Sequence, residues 1–459
     1  MTVAMRHLSA PDLTPVHTEQ VRDVLTRPSL SYWQDAWIRL KANRRALVSL
    51  WIVVGLLVFT LIGPLMWRVD PATQDLDQLS QPPGVDRTAT LVAPPVTWSG
   101  EALTDEEATG LRAIGRADTQ AVRLHWDPMP EATGGYRVYR NLFPVGPEKA
   151  YGLPLLMNME KTWYEDRLDL RPTTYYYSVA PLDESGEHAG EVQTIELNLN
   201  RVITIDEARK RGLIGDEETP APGATVELKL HPLGTDYLGR DLFARLMHGA
   251  QVSLFIGMVA PMLFVAFGIL YGATAGFIGG AVDAVMMRFA DFVVALPFLL
   301  FMILFKFIFQ VEAGESGIMP MLVALVILSW PATSRLVRGQ ILQIREEGYI
   351  GASRLLGAKT NYLILRHMIP NTMGVILVTL TFAVPSAIFT EAFLSFIGMG
   401  VAPPTPSWGS MCNEGIKTML TTPHELIFPA VLISITVLAF NLLGDGLRDA
   451  LDARMRSRE

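Results

Sequence analysis

The residues best suited to work on another molecule lie in Glu347–Pro370, EGYIGASRLLGAKTNYLILRHMIP, a basic stretch held between two long apolar runs. Gly357 can end a helical turn and redirect the chain. Pro370 can open the next helix, where its missing N–H is not needed. The spacing predicts helix, bend, helix. Ala352 and Ser353 keep one side of the first helix small enough for close docking. Tyr349 and Leu356, seven positions apart, share a face that fits a groove on a partner. Arg354 and Lys359 are placed either to pair with acids on that partner or to stabilise the helix C-terminus. Charge alone fits a solvated loop obeying the positive-inside rule equally well, and the glycine and proline spacing favours docking.

Other candidate chemistry is sparse. The pattern GxxxxGK[ST] is absent, so the chain has no phosphate-binding loop of that kind with which to hydrolyse ATP. His231, His248, His367 and His424 are scattered without ligand spacing, and Cys412 is the single cysteine, which excludes an intramolecular disulfide and a cysteine metal cluster. Glu391 is an ionisable group inside an apolar run, which makes it a functional candidate, either in contact with a substrate or hydrogen-bonded within the bundle. Lys306, near the end of its run, is read as snorkelling to the interface, and Asp291 as interfacial. Pro403, Pro404, Pro406 and Trp408 are expected to stiffen a loop and anchor it at headgroup depth, with a lid or receptor contact as the alternative. Arg240 and Asp241 precede an apolar run and suit a surface-lying amphipathic helix.

The elements that must position these residues follow from composition. Half of the 459 residues are apolar, which points toward lipid. Charge is uneven: residues 70–230 hold 27 acids and 15 bases, and the rest of the chain 19 and 23. Nucleic-acid binding gains no support from this distribution. The first 45 residues show no cleavable signal peptide.

Six runs of roughly 20 residues can each cross a bilayer core of about 30 Å. They lie near 46–67, 252–275, 289–310, 318–337, 372–398 and 426–444. Gly279 and Gly280 separate the second from the third, and Pro331 breaks the fourth. Arg39, Lys41, Arg44 and Arg45 before the first run place the N-terminus in the cytoplasm. With six crossings the segment bearing Arg338, Arg345, Arg354, Lys359 and Arg366 also falls inside, as does the tail bearing Arg448, Arg454, Arg456 and Arg458. Residues 311–317, with Glu312 and Glu315 but no base, fall outside. The acidic region is then extracytoplasmic. Within it AVRLHWD (121–127), YRVYRNL (136–142) and TTYYYSVAPLD (173–183) alternate like half-buried strands, predicting an antiparallel sandwich. Trp126, Tyr175–Tyr177 and the following DESGEHAGE resemble a fibronectin type III module over about 90–200. Residues 201–228 read as a short helix and linker.

Three stretches carry a resemblance to a known family. Gly351, Ala352, Ser353, then Gly357, then His367, Met368, Ile369 and Pro370 match the cytoplasmic loop motif of ABC importer permeases in their glycine, proline and both gaps, with Gly351 in place of glutamate and His367 in place of isoleucine. HPLGTDYLGRDLFARLMHGAQVSL (231–254) and EAFLSFIGMGVAPPTPSWGSMCNEG (391–415) resemble the C-type permease of oligopeptide, dipeptide and nickel importers. The resemblance covers about 30–69 and 229–458.

It implies an α-helical membrane protein of six spans with an inserted all-β sandwich outside the membrane. The segments are a cytoplasmic stretch 1–45, helix 46–67, an insert 68–230, and a permease core 231–459 with its coupling loop at 338–370. It also implies alternating-access import of peptides or a related small solute through a prokaryotic cytoplasmic membrane, with both termini inside. The implied partners are a second, related permease in a heterodimer, two ATPase subunits that hold ATP and Mg, and an extracytoplasmic substrate-binding protein. This chain itself would bind no cofactor and catalyse no reaction. Tyr349, Ala352, Ser353, Arg354, Leu356 and Gly357 are the expected coupling residues, with Pro370 fixing the fifth helix. The rival readings are a membrane-anchored binding or adhesion protein, which needs no cytoplasmic loop, and an ion-coupled transporter working through Glu391.

Overall fold

A computed structural model describes residues 32–84, 87–96, 98–100, 109–145, 151–168, 170–215, 220–310 and 315–451. Residues 1–31, Glu312 and the arginines at 454, 456 and 458, which carry part of the orientation argument, lie outside the described residues.

Helix α1 (Tyr32–Ala42) turns at Asn43, whose side chain accepts from the Ala46 N–H at 3.3 Å and so caps α2 (Arg44–Met66), the first apolar helix. Among the described residues, ten strands, β1–β10, follow. The first eight are β1 (Thr88–Val92), β2 (Arg112–Ala113), β3 (Val122–His125), β4 (Gly135–Asn141), β5 (Pro154–Met159), β6 (Trp163–Asp166), β7 (Thr174–Leu182) and β8 (Gln193–Asn198). Next come β9 (Val202–Thr204), α3 (Ile205–Lys210) and β10 (Thr225–Glu227).

Strands β2–β3–β6 form one antiparallel sheet, and β5–β4–β7–β8 form another. Alternation puts Val122 and Leu124 of the first sheet and Val138, Tyr177 and Val179 of the second into one core with Trp126. The buried Asp166 is satisfied by the Tyr177 hydroxyl at 2.7 Å and the Arg140 guanidinium at 2.9 Å. Burial and that carboxylate push the Tyr177 phenol up.

Residues 201–228 differ from the expected helix and linker. The helix is present, but β9 pairs in parallel with β1 and β10 pairs antiparallel on its other edge. This small sheet buries Leu91, Ile203, Ala208 and Leu228 and closes the base of the insert. Pairings across more than a hundred residues leave no local signature.

The base is tied to the chain re-entering the helices. Asp75 accepts from Arg211 at 2.6 Å, and His231 Nδ1 lies 2.7 Å from Asp241 Oδ2, its Nε2 4.0 Å from Asp75. Burial opposes charge on the ring, but the hydrogen bonds and charges of Asp241 and Asp75 outweigh it and raise the imidazole to about 9.

The helical core comprises α4 (Leu242–Ile278), α5 (Gly280–Val294), α6 (Phe298–Ile308), α7 (Ile318–Arg345), α8 (Gly348–Leu355), α9 (Thr360–Tyr362), α10 (Ile369–Phe396), α11 (Trp408–Ile416) and α12 (His424–Leu451), with a π-helical turn, Leu363–Met368, before α10. Among the described residues five helical stretches are long and apolar enough to cross a membrane: Arg44–Met66, Leu242–Ile278, Ile318–Arg345, Thr360–Phe396 and His424–Leu451. A sixth crossing exists if α5 and α6, bent by 82°, count as one broken span. The run at 289–310 is thus two helices: Pro297 has no N–H to continue α5 and instead precedes α6. Pro331, by contrast, sits inside an unbroken α7.

Helices α4 and α7 pack backbone to backbone. A Cβ at Gly272 would fall on the Ser334 carbonyl, and one at Gly276 would lie 3.0 Å from the Arg338 carbonyl. Small residues four apart give this approach, which in lipid supplies the van der Waals contact that holds helices together.

Three sequence readings are corrected here. Helix α4 begins at 242 rather than 252, capped by Asp241, which accepts from the Ala244 N–H at 2.6 Å. Arg240 and Asp241 are therefore not on a surface-lying helix; both are buried. Arg240 joins Asp236, Arg245 and Glu414 in a buried four-charge cluster, with Arg240 Nε to Asp236 at 2.7 Å and Nη2 to Glu414 at 2.8 Å. Trp408 is not an interfacial anchor. It is fully buried, opens α11, and donates its indole N–H to the Leu246 carbonyl at 3.0 Å.

Gly272→Val should block assembly of the bundle, since the overlap is with backbone and overpacking costs about 1–3 kcal/mol or more, while Gly339→Ala, where a Cβ meets nothing within 4 Å, should be neutral; membrane yield and thermal melting of the purified chain compare them. At the base of the insert, the His231 value lies above its ordinary 6.5, so its stabilisation is complete below about 6.5 and is lost as pH rises through about 9. Hydrogen exchange at 75–81 and 231–241, corrected for intrinsic rate, should accelerate over that window, and His231→Gln should remove the step.

Candidate docking site

At one end of the bundle α7 runs to Arg345, whose guanidinium donates to the Gly276 carbonyl at 3.2 Å and so closes the C-terminus of α4. The chain then turns into α8. Ile350, 1% exposed, drops from α8 into a cluster with Phe277, Ile341, Leu363, Ile364 and Met368. This one residue seats α8 on the bundle.

Helix α8 ends as the spacing predicts. Gly357 has φ +86°, its N–H donates to the Arg354 carbonyl at 3.0 Å, and the Ala358 N–H donates to the Ser353 carbonyl at 3.1 Å. These paired bonds with a left-handed glycine constitute a Schellman turn, which a side chain at 357 would strain. The second helix departs from expectation: it starts at Thr360, and Pro370 lies ten residues inside the continuous stretch Thr360–Phe396. The π-helical turn Leu363–Met368 precedes it, so Pro370 opens only the regular part of α10. A widened turn absorbs the donor that proline lacks.

The expected site residues come together on this knob. Tyr349, Ala352, Arg354, Leu356, Gly357 and Pro370 are exposed, and Ser353 is half-buried with its hydroxyl donating to the Tyr349 carbonyl at 2.8 Å. Arg354 stacks over the Phe277 ring at 5.0 Å. The Tyr349 hydroxyl accepts from Asn371 at 3.0 Å, tying α8 to α10. A Cβ at Gly351 meets nothing within 4 Å, so the position where the permease motif carries glutamate is open here.

The sequence reading missed Leu355, 91% exposed beside Leu356 at 89%, and Tyr362 and Leu365, also exposed. With Tyr349 they give this segment five exposed large apolar side chains, interspersed along the chain with Arg354, Lys359 and Arg366. Since neighbouring apolar residues on a helical stretch can be buried together, as Leu363 and Ile364 are, no sequence signal marked Leu355, Tyr362 and Leu365. Ile350, their buried counterpart, could be found only by fixing the register.

Glu391 is not at this site. It lies on α10 toward the opposite end, fully buried, accepting from the Ser253 and Ser395 hydroxyls at 2.7 and 2.8 Å. Asp291 is half exposed and receives Arg335 at 2.7 Å; Lys306 is half-buried on α6. Among the described residues no group of three or more His, Cys, Asp or Glu is arranged to hold a metal.

The profile of the binding-protein-dependent transport system inner membrane component matches residues 268–457, and that of the N-terminal TM domain of oligopeptide transport permease C matches 31–83. The chain is 47% identical over 228 residues to the oligopeptide transport system permease protein OppC of Bacillus subtilis (strain 168), covering 50% of this chain and 73% of that protein. It is 47% identical over 227 residues to the dipeptide transport system permease protein DppC of the same organism, covering 49% and 69%. The glutathione transport system permease protein GsiD of Escherichia coli O157:H7 is 43% identical over 226 residues, covering 49% and 73%. A chain that shares so much of these proteins belongs to the binding-protein-dependent inner membrane components, the permease subunits of ABC transporters.

Proposed function

We propose that this chain is one permease half of an ATP-driven peptide importer in a prokaryotic cytoplasmic membrane, with α8 on the cytoplasmic side. The observation that carries this reading is the knob. An apolar surface topped by two leucines at about nine-tenths exposure is held out by a glycine turn and seated by a buried isoleucine. Such a surface needs a partner. In this reading the groove of an ATPase subunit covers it, and closure of two ATPases around ATP and Mg pulls α8. The Arg345 bond to α4 and the Tyr349–Asn371 bond then pass the displacement to α4 and α10. A second, related permease completes the pathway as a heterodimer, and an external substrate-binding protein delivers the cargo.

Peptides are the favoured solute because the similar permeases are named for oligopeptides, dipeptides and glutathione. The insert is proposed to be a fibronectin type III-like module, a reading supported by its sheet orders β2–β3–β6 and β5–β4–β7–β8. Uptake in a deletion strain, with peptides of several lengths and nickel in parallel, tests the solute. Peptide uptake is expected, and uptake of nickel alone would overturn the assignment.

Leu356→Asp changes an exposed position, so folding should be preserved while ATPase retention on co-purification falls by about tenfold or more, the loss usual for an interface anchor. Gly357→Trp, which strains the turn itself, should release the ATPase altogether. Full retention in both variants would reject the docking role. Replacing residues 94–200 with a flexible linker of about 15 residues, long enough for the crossover that the parallel strands β1 and β9 need, should leave the ATPase bound, because the insert lies at the far end of α4 from α8.

A further inference from the structure

Helix α11 lies at the end of the bundle opposite α8, where a Cβ at Gly415 would fall on the Glu425–Leu426 backbone at the start of α12, and polar contacts tie it to the other helices at two points. Near its start, the Ser253 hydroxyl of α4 donates to Glu391 Oε2 at 2.7 Å, and the Ser395 hydroxyl of α10 donates to Oε1 at 2.8 Å. Each hydroxyl oxygen also accepts a backbone N–H from the segment leading into α11: Trp408 N–H to Ser253 at 3.3 Å, and Val401 N–H to Ser395 at 3.0 Å. The accepted N–H groups steer both hydroxyl hydrogens onto the carboxylate, so 401–408 hangs from one fully buried side chain. Further along, Glu414 takes Arg240 at 2.8 Å and Arg245 at 2.6 Å. Between these points the Trp408 indole N–H is bonded to Leu246, and a Cβ at Gly409 would fall on the Ala392 backbone. Every one of these polar attachments runs to α4, to α10 or to the loop that caps α4.

We propose that Glu391 is a positioning residue that pins α11 to α4 and α10, so that α11 travels with those helices as a fixed wedge at the substrate-side mouth and does not swing as a lid. The substrate side follows from the importer reading, and the pin itself does not depend on it. A carboxylate suits the task because it accepts from both serines at once, and a hydroxyl left without an acceptor in so dry a site would favour opening.

Cys412, the chain's single cysteine, provides the readout. It sits on α11, 8% exposed, and burial together with the Glu391 carboxylate pushes its thiol up to about 11. In the transporter purified with its partner subunits in nanodiscs, maleimide labelling of the Cys412 peptide is followed by mass spectrometry. Wild-type Cys412 should label equally slowly without nucleotide and after trapping with ATP and vanadate. Glu391→Leu should label about 10–100-fold faster, with a pH profile moved toward that of an ordinary thiol, while Glu391→Gln, which keeps one of the two acceptor oxygens, should lie between wild type and Glu391→Leu. Ser253→Ala, which removes one attachment, should fall between them and serves if Glu391→Leu does not assemble. A wild-type thiol that becomes reactive in the trapped state would make α11 a lid and overturn the proposal. Labelling of Glu391→Leu at the wild-type rate, or of Glu391→Gln at the Glu391→Leu rate, would overturn it equally. Vanadate-sensitive ATP hydrolysis in the same sample is the separate check on the ATPase reading. Its loss would count against that reading, and the nucleotide-free comparison of variants would still decide the pin.

Discussion

The backbone contact of α4 with α7 is the constraint on which the rest of the permease core depends. Gly268, Gly272 and Gly276 remove every Cβ from one stripe of α4, and the carbonyls of α7 occupy that space. In lipid no hydrophobic force would hold these helices if they stood further apart, so the stripe sets both their distance and their register. Register then fixes what happens at the ends. Arg345 reaches the terminal carbonyls of α4, Arg338 on α7 meets Asp283 on α5 through two bonds at 2.5 Å, and Ile350 finds the pocket that α4, α7 and the turn before α10 enclose.

Opposite logics operate at the two ends of α4. At its C-terminus the chain presents apolar side chains to solvent and holds them with a turn that costs strain in any residue but glycine. At its N-terminus the chain buries charge and hydroxyls: Asp236, Arg240, Arg245 and Glu414 in one cluster, Glu391 and its serines in another. Buried ion pairs add little net stability, but removing a single partner leaves a charge stranded, which costs about 3–5 kcal/mol. Geometry at that end is therefore unforgiving.

Sequence made some of this legible and hid the rest for physical reasons. Strands β3, β4 and β7 were readable because Val122 and Leu124, or Val138 and Tyr136, alternate with polar neighbours. The glycine bend was readable because only a left-handed residue ends a helix so abruptly. Hydropathy found the spans but misplaced their ends: it registers the apolar window and not the cap, so α4 was begun ten residues late although Asp241 is a good cap. The 82° break between α5 and α6 was hidden because Leu296 and Pro297 are as apolar as their surroundings, and Pro331 misled because α7 accommodates it. Trp408 and Arg240 were placed at surfaces because their types are common there; tertiary burial put both inside. The glycine turn at 357 was legible in the spacing, while the exposure of Leu355, Tyr362 and Leu365 and the burial of Ile350 needed the three-dimensional register.

The most direct measurement places one cysteine on the knob. In a chain carrying Leu356→Cys and Cys412→Ser, assembled with its partners, a short bifunctional maleimide should join position 356 to a cysteine introduced in the groove of an ATPase subunit, and an impermeant reagent applied to intact cells should leave it unlabelled. Labelling of position 356 from outside the cell, or failure to cross-link at any groove position, would contradict the account.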